Sequence, residues 1–93
     1  MYKRSTGYLA LLDIRELSEL TDSLGHIEGI IHIPLGELEK RIKELEGYRD
    51  KEIMVICRSG NRSIKGARIL ETAGFKKVYV LNGGMISWRR MGL

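Results

Sequence analysis

The stretch Ile53-Met54-Val55-Ile56-Cys57-Arg58-Ser59-Gly60-Asn61-Arg62-Ser63 decides the predicted fold and contains the single cysteine of the chain. Four apolar residues precede the cysteine, as in a strand of a parallel sheet that is buried on both faces. A loop with one glycine and two arginines follows, and Ser63 is a suitable N-cap for the helical pattern beyond it. The stretch therefore predicts a buried strand that ends at a thiol, beside a polar loop and a helix N-terminus.

The loop after Cys57 has three features that favour the thiolate, which is the reactive form of cysteine. The helix that follows directs its free N–H groups and its partial positive charge toward the loop. Arg58 and Arg62 add full positive charges. Ser59 and Gly60 allow consecutive backbone amides to curl around an anion, and we expect Gly60 to supply the positive φ of that curl. A lone cysteine at a strand end is usually a core residue, but these neighbours favour a nucleophile.

Strand-like and helix-like segments alternate along the chain. The predicted strands are 8–14, 29–33, 53–56 and 78–81, and the predicted helices are 15–24, 35–45, 63–73 and a segment after residue 84. This alternation predicts an α/β fold with a central, mostly parallel sheet of four to five strands and helices on both faces. Ligands of open α/β sheets bind beyond the carboxyl ends of the strands. Cys57 lies at such an end, which strengthens the interpretation of an active site.

Length and composition indicate one small domain over residues 1–93. Residues 1–8 are predicted to be frayed or to add a minimal edge strand, and a weak homodimer is a hypothesis for covering a trimmed sheet edge. No apolar run approaches the roughly 20 residues that cross a bilayer. One cysteine cannot form an internal disulfide, so we expect a cytoplasmic protein without membrane contact. A metal site is not expected, because His26 and His32 are far in sequence from the cysteine.

Charge differs strongly between the two halves of the chain. Residues 1–50 carry seven Lys/Arg and ten Asp/Glu, whereas residues 51–93 carry nine Lys/Arg and two Asp/Glu. The half that contains Cys57 therefore has a net charge of +7, and its field attracts small anions. Nucleic acid is the competing partner for a basic surface, but no recognised nucleic-acid motif is present. We therefore expect no nucleic-acid partner.

Four groups of residues occur together in the order and spacing of a known family. They are 11–15 (Leu-Leu-Asp-Ile-Arg), 25–29 (Gly-His-Ile-Glu-Gly) with 33–35 (Ile-Pro-Leu), 57–62, and 78–84 (Val-Tyr-Val-Leu-Asn-Gly-Gly) with Trp88. In these motifs the chain resembles single-domain rhodaneses, which are sulfurtransferases. The resemblance runs from Leu11 onward. It implies a small α/β domain with a central parallel sheet, whose active-site cysteine accepts sulfane sulfur as a persulfide.

The length of the loop distinguishes sulfurtransferases from the related phosphatases of the same fold. Four residues separate Cys57 from Arg62, as Cys-x4-Arg. Related phosphatases of the same fold use the wider Cys-x5-Arg cradle for phosphate or arsenate. Ser63 stands where the phosphatase arginine would be, and Ile56 stands where a histidine usually precedes the phosphatase thiol. A phosphatase or arsenate reductase is therefore the least favoured alternative.

The resemblance implies a two-step covalent mechanism that needs no metal and no organic cofactor. The Cys57 thiolate would attack the outer sulfur of thiosulfate or a similar anionic donor, and sulfite would leave. Cyanide, a thiol or a protein cysteine would then accept the sulfur from the persulfide. The alternative is a persulfide carrier that a protein partner loads and that acts little on small donors. Both functions need the same loop, so the sequence leaves this choice open.

Around the catalytic Cys57, the predicted substrate-binding residues are Arg58, Ser59, Gly60, Asn61, Arg62 and Ser63. We expect Arg58 to point outward and to select substrate. Arg62 is expected to close the loop, either by binding the donor or by bracing backbone carbonyls. Asp13 and Arg15 match the Asp-x-Arg of the family and are interpreted as supports for the strand ends. His26 is interpreted as a turn histidine rather than a general base.

Overall fold

A parallel sheet of four strands forms the centre of the computed structural model, which describes residues 9–92. The strands are β1 (Leu9–Asp13), β2 (Ile31–His32), β3 (Glu52–Ile56) and β4 (Lys77–Val80), in the order β2-β1-β3-β4. Each neighbouring pair is parallel. The predicted α/β fold with a central parallel sheet is confirmed. The frayed or edge-strand segment predicted for residues 1–8 lies outside the described residues.

Helical segments connect the strands. The α-helices are α1 (Asn61–Thr72), between β3 and β4, and α2 (Gly84–Arg90), after β4. Short 3-10 helices span Leu17–Thr21, Leu35–Glu37 and Ile42–Tyr48. These crossovers are what parallel pairing requires, because successive parallel strands cannot be joined by a tight hairpin. In the described part of the chain, no helix combines the length and the apolar character that a bilayer crossing needs.

The two faces of the sheet are covered by separate apolar clusters, because successive strand residues point to opposite faces. On one face, alternate residues of β1 and β3, including Val55, pack under α1 and under the 3-10 helices Leu35–Glu37 and Ile42–Tyr48. Cys57 belongs to this cluster. On the other face, Met54 and Ile56 pack against α2 through Met85 and Trp88. Helices therefore cover both faces, as predicted.

Residues 35–45 do not form the single helix that the sequence pattern predicts. They divide into Leu35–Glu37 and the start of Ile42–Tyr48, with a turn between. The Leu35 N–H donates to the Ile14 carbonyl at 3.0 Å, which ties the segment to the end of β1. Gly36 also lowers helix propensity by about 1 kcal/mol relative to alanine. The apolar face still reaches the core through Leu35, Leu38, Ile42 and Leu45.

Two further elements are shorter than predicted. Residues 15–24 contain only the 3-10 helix Leu17–Thr21, and Leu17 at its start is 71% exposed. The strand predicted over 29–33 is reduced to Ile31–His32, which pairs with β1 at two positions on the sheet edge. Turns take the place of longer regular structure in the segment that runs from the end of β1 through β2.

Candidate active site

Cys57 is the first residue after β3, an interior strand of the sheet, and its side chain is buried. The chain turns back immediately after it. Gly60 has φ +109°, the positive value that the sequence predicts. This turn places the Gly60 N–H against the thiol, and it donates a hydrogen bond to Cys57 Sγ at 3.0 Å. We call residues 57–63 the cysteine loop.

The helix α1 begins earlier than the sequence predicts. Its N-cap is Gly60 and its first residue is Asn61, so Ser63 lies inside the first turn. The prediction of Ser63 as N-cap is wrong, because the Gly60 backbone already turns the chain into the helix. The earlier start places the free N–H groups of the first helical turn within the cysteine loop itself. Ser63 is fully buried, and residues 9–92 offer its Oγ no hydrogen-bond partner.

One side of the cysteine loop is held by the backbone of α2. The Met85 N–H donates to the Cys57 carbonyl at 2.9 Å, and the Ile86 N–H donates to the Arg58 carbonyl at 3.1 Å. Gly84 precedes these donors with φ +61°. A Cβ at Gly84 would lie 2.5 Å from both carbonyl oxygens, so the close approach requires glycine.

These two hydrogen bonds also orient the loop amides. The C=O and N–H of a trans peptide point in opposite directions, and the described residues contain no cis peptide bond. Since the carbonyls of Cys57 and Arg58 point toward α2, the N–H groups of Arg58 and Ser59 point away from it. Together with the Gly60 N–H, they give the loop a set of backbone donors suited to an anion next to the thiol.

The two arginines of the loop have different environments. Arg58 is exposed, and residues 9–92 provide no ion-pair partner for it. The Arg62 guanidinium instead donates to both carboxylate oxygens of Glu19, at 2.8 and 2.7 Å. A carboxylate partner was not among the two roles that the sequence suggested for Arg62. Glu19 lies 43 residues earlier in the chain, and only the fold brings the two side chains together.

The pairing changes the acid–base properties of both side chains. The hydrogen bonds from Arg62 lower the pKa of Glu19 to about 2. The same bonds raise the pKa of Arg62, and the nearby Cys57 adds to that rise. The charge of Arg62 is therefore already shared with a carboxylate.

Asp13 and Arg15 form a fully buried ion pair at the end of β1. The Arg15 Nη2 lies 2.9 Å from Asp13 Oδ2, and the Arg15 backbone N–H also donates to the Asp13 carboxylate. Arg15 reaches further, donating to the carbonyls of Gly25 at 2.7 Å and Glu19 at 3.1 Å. These contacts support the interpretation of the pair as a brace that joins the strand end to the segments beside it.

Other polar features lie apart from the cysteine loop. His26 is exposed, and its Nδ1 lies 2.9 Å from the Leu20 carbonyl oxygen, as expected for a turn histidine. A groove of about 320 Å³ beside Ile42, Arg68 and Thr72 includes no residue of the loop. Between residues 9 and 92, no group of three or more His, Cys, Asp or Glu side chains is arranged to hold a metal ion.

Comparison with known proteins identifies the family. The model of the rhodanese-like domain family matches residues 2–91, so the chain belongs to the rhodanese-like family. A rhodanese-related protein from Thermoplasma volcanium has the same fold with a TM-score of 0.83 and 37% identity, over 96% of this chain and 84% of that one.

Two curated relatives carry names that describe sulfur chemistry. "Putative sulfur carrier protein YrkF" of Bacillus subtilis is 48% identical over 80 residues, which are 86% of this chain and 41% of that protein. A sulfurtransferase of Allochromatium vinosum is 34% identical over 88 residues, which are 95% of this chain and 78% of that protein. The comparisons support a rhodanese-type sulfurtransferase function.

Proposed function

We propose that the protein transfers sulfane sulfur from thiosulfate or a similar anionic donor to a thiophilic acceptor, through a persulfide on Cys57. Cys57 is the predicted nucleophile. The backbone of residues 58–60 and the first turn of α1 provide the predicted anion-binding donors. The acceptor is cyanide, a small thiol or a protein cysteine.

The observation that carries the proposal is the hydrogen bond from the Gly60 N–H to Cys57 Sγ at 3.0 Å. Sulfur accepts hydrogen bonds best as a thiolate or a persulfide anion, because charge strengthens the bond. A cysteine with only a packing role needs no donor aimed at its sulfur. The positive φ of Gly60 therefore turns the loop so that a backbone N–H reaches the sulfur of Cys57.

The reaction has two balanced steps. The Cys57 thiolate forms a bond to the outer sulfur of thiosulfate while the sulfur–sulfur bond of the donor breaks, and sulfite leaves with the electron pair. The acceptor nucleophile then attacks the outer sulfur of the Cys57 persulfide. The persulfide bond breaks, and the thiolate of Cys57 is regenerated. No external oxidant or reductant enters the cycle.

Steady-state kinetics with thiosulfate and cyanide test this proposal. The two-step cycle predicts parallel lines in double-reciprocal plots, the pattern of ping-pong kinetics. Thiocyanate formation should be lost in Cys57→Ser, whereas Ser18→Ala, at an exposed position outside the loop, should retain it. Intersecting lines, or an active Cys57→Ser variant, would contradict the covalent intermediate.

A persulfide carrier is the second candidate, and the name of the Bacillus relative favours it. In this function a protein partner loads Cys57, and small donors react slowly. The exposed basic residues of the cysteine-containing half, such as Arg58 and Lys65, would then serve as a docking face. Loading by a cysteine desulfurase that is much faster than loading by thiosulfate would favour the carrier over the small-molecule enzyme.

The cellular setting and the assembly state remain predictions from the sequence. We infer a cytoplasmic location, because the single cysteine of the chain cannot form an internal disulfide, which agrees with a reducing compartment. We expect no nucleic-acid partner and, at most, a weak homodimer. Sedimentation at high concentration tests the dimer, and a monomer throughout would exclude it.

A further inference from the structure

Glu19 places a negative charge directly on the arginine of the cysteine loop. Its two carboxylate oxygens accept hydrogen bonds from Arg62 Nη1 and Nη2 at 2.8 and 2.7 Å. Such bidentate pairs between a guanidinium and a carboxylate have specific geometry and use the donors that would otherwise face an anionic ligand. The positive charge of Arg62 is therefore largely offset before any donor arrives.

Glu19 is held in this position by the fold. Its Oε2 also accepts the Glu16 N–H at 2.8 Å, and its backbone carbonyl accepts Arg15 Nη1 at 3.1 Å. Arg15 is itself fixed by the buried pair with Asp13. The carboxylate is thus anchored through both its side chain and its backbone to the end of β1. A mobile surface side chain would lack these contacts.

The remaining positive charge at the loop is limited. Arg58 is exposed and has no ion pair within residues 9–92, so it is free to meet one negative charge. The backbone donors of the loop add dipoles but no net charge. A doubly charged donor such as thiosulfate therefore meets fewer unpaired cations than the two arginines of the sequence suggest.

We propose that Glu19 is a specificity-determining residue that withholds Arg62 from the donor, so that the site prefers singly charged sulfane donors, such as thiosulfonates and the persulfides of thiols, over doubly charged thiosulfate. This inference rests on the proposed function. The chemistry at Cys57 is the same for either class. The thiolate takes the outer sulfur, the sulfur–sulfur bond of the donor breaks, and the leaving group departs with the electron pair as a sulfinate or a thiolate.

Methanethiosulfonate and thiosulfate are matched probes for this inference. Both present an outer sulfur on a sulfonyl sulfur, and they differ by one negative charge. The rate of Cys57 persulfide formation is measured with each donor and divided by the rate of the same donor with a small free thiolate, which removes intrinsic reactivity. The wild-type protein should favour methanethiosulfonate by about tenfold after this correction, the size expected for one missing charged hydrogen bond.

Glu19→Gln should release Arg62 and raise the corrected rate with thiosulfate by about tenfold, while methanethiosulfonate changes by less than about threefold. Glu44→Gln is the matched control, because Glu44 forms a comparable but exposed pair with Arg41 at 2.8 Å, away from the cysteine loop. It should leave both rates unchanged. The double variant Glu19→Gln/Arg62→Gln should lose the gain with thiosulfate.

A wild-type protein that shows no corrected preference, or that prefers thiosulfate, overturns the inference, and this measurement does not depend on any variant folding. An unchanged donor ratio in a folded Glu19→Gln protein also overturns it. If neither donor forms a persulfide on wild-type Cys57, the proposed function itself fails, and this result is distinct from both of the others.

Discussion

The two sides of the cysteine loop are held by different kinds of contact. On the α2 side, backbone N–H groups of the helix donate to backbone carbonyls of the loop. Gly84 allows the two segments to approach closely, because any side chain there would collide with those carbonyls. At Arg62, by contrast, the loop meets Glu19 through charged side chains. The first side fixes the direction of the loop amides, and the second sets how much charge the loop presents. Shape and charge are therefore controlled by separate parts of the chain.

This difference has a consequence for substitution. Backbone contacts leave little room for change, because a carbonyl oxygen cannot move without moving the loop. Charged side chains that are partly solvated can be exchanged at small cost in stability. We therefore expect substitutions on the α2 side to change mainly the folding stability, and substitutions at Glu19 to change mainly the preference among sulfur donors.

Gly84→Ala should have the largest effect on stability. The new Cβ would lie 2.5 Å from the carbonyl oxygens of Cys57 and Arg58, at φ +61°. We expect the free energy of unfolding to fall by about 4 kcal/mol, because both the contact and the backbone conformation become strained. Urea unfolding measures this loss. Gly47→Ala is the control, since no atom lies within 4 Å of its added Cβ, and equal losses in the two variants would contradict the close approach.

Asp13→Asn should have the next largest effect. It leaves the fully buried Arg15 guanidinium without its counter-ion, and removing one partner of a buried pair costs about 3 kcal/mol. The carbonyl of Glu19 would lose its fixed donor as well, so the charged side of the loop should loosen. Thermal and urea unfolding test this expectation against Asp50→Asn, whose exposed pair with Lys76 spans 3.8 Å. Losses below about 1 kcal/mol would show that the buried pair is not a brace.

Glu19→Gln should reduce stability by about 0.5–1 kcal/mol at neutral pH, since the ion pair is partly solvated. Pairing lowers the pKa of Glu19 from 4.5 to about 2. The contribution of the carboxylate is therefore complete above about pH 4.5 and is lost as the pH falls toward 2.

Urea unfolding of wild type and Glu19→Gln at a series of pH values tests this dependence. The difference between the two proteins should shrink between about pH 4.5 and pH 2. Glu28→Gln, at an exposed position, serves as the control. A difference that stays constant across this range would mean that Glu19 acts through packing rather than through its charge.

Ser63→Ala should have the smallest effect, with the opposite sign. Its buried hydroxyl has no partner within the described residues, and removing an unsatisfied hydroxyl leaves stability unchanged or raises it by up to about 1 kcal/mol. Urea unfolding compares the variant with wild type, and Ser18→Ala controls for an exposed serine. A loss of more than about 1 kcal/mol would show that the hydroxyl has a partner in solution.

Local patterns in the sequence predict the central strand, the loop and its glycine well. A run of apolar residues before Cys57 leaves few alternatives to a buried strand, and Gly60 is the residue best suited to the positive φ that the turn requires. The α/β alternation also follows from patterns within short windows. These features depend on neighbouring residues, so one sequence is enough to find them.

The contacts between distant segments could not be predicted in this way. No sequence motif near Glu19 distinguishes it from the other acidic residues of the chain. It pairs with Arg62 because β1 and β3, which precede these two residues in the chain, are neighbours in the sheet. The bond from the Leu35 N–H to the Ile14 carbonyl, which ties residues 35–45 to the end of β1, is likewise a contact between distant segments. Residue type favours Ser63 as the N-cap, whereas Gly60 determines where α1 begins.

The intact mass of the protein after incubation with a sulfane donor tests the central claim most directly. We predict that the wild-type protein gains the mass of one sulfur atom with methanethiosulfonate or thiosulfate, and that cyanide removes it. Cys57→Ser should show no gain under the same conditions. A wild-type protein that gains no mass with either donor, or a Cys57→Ser variant that gains it equally, would contradict a persulfide on Cys57.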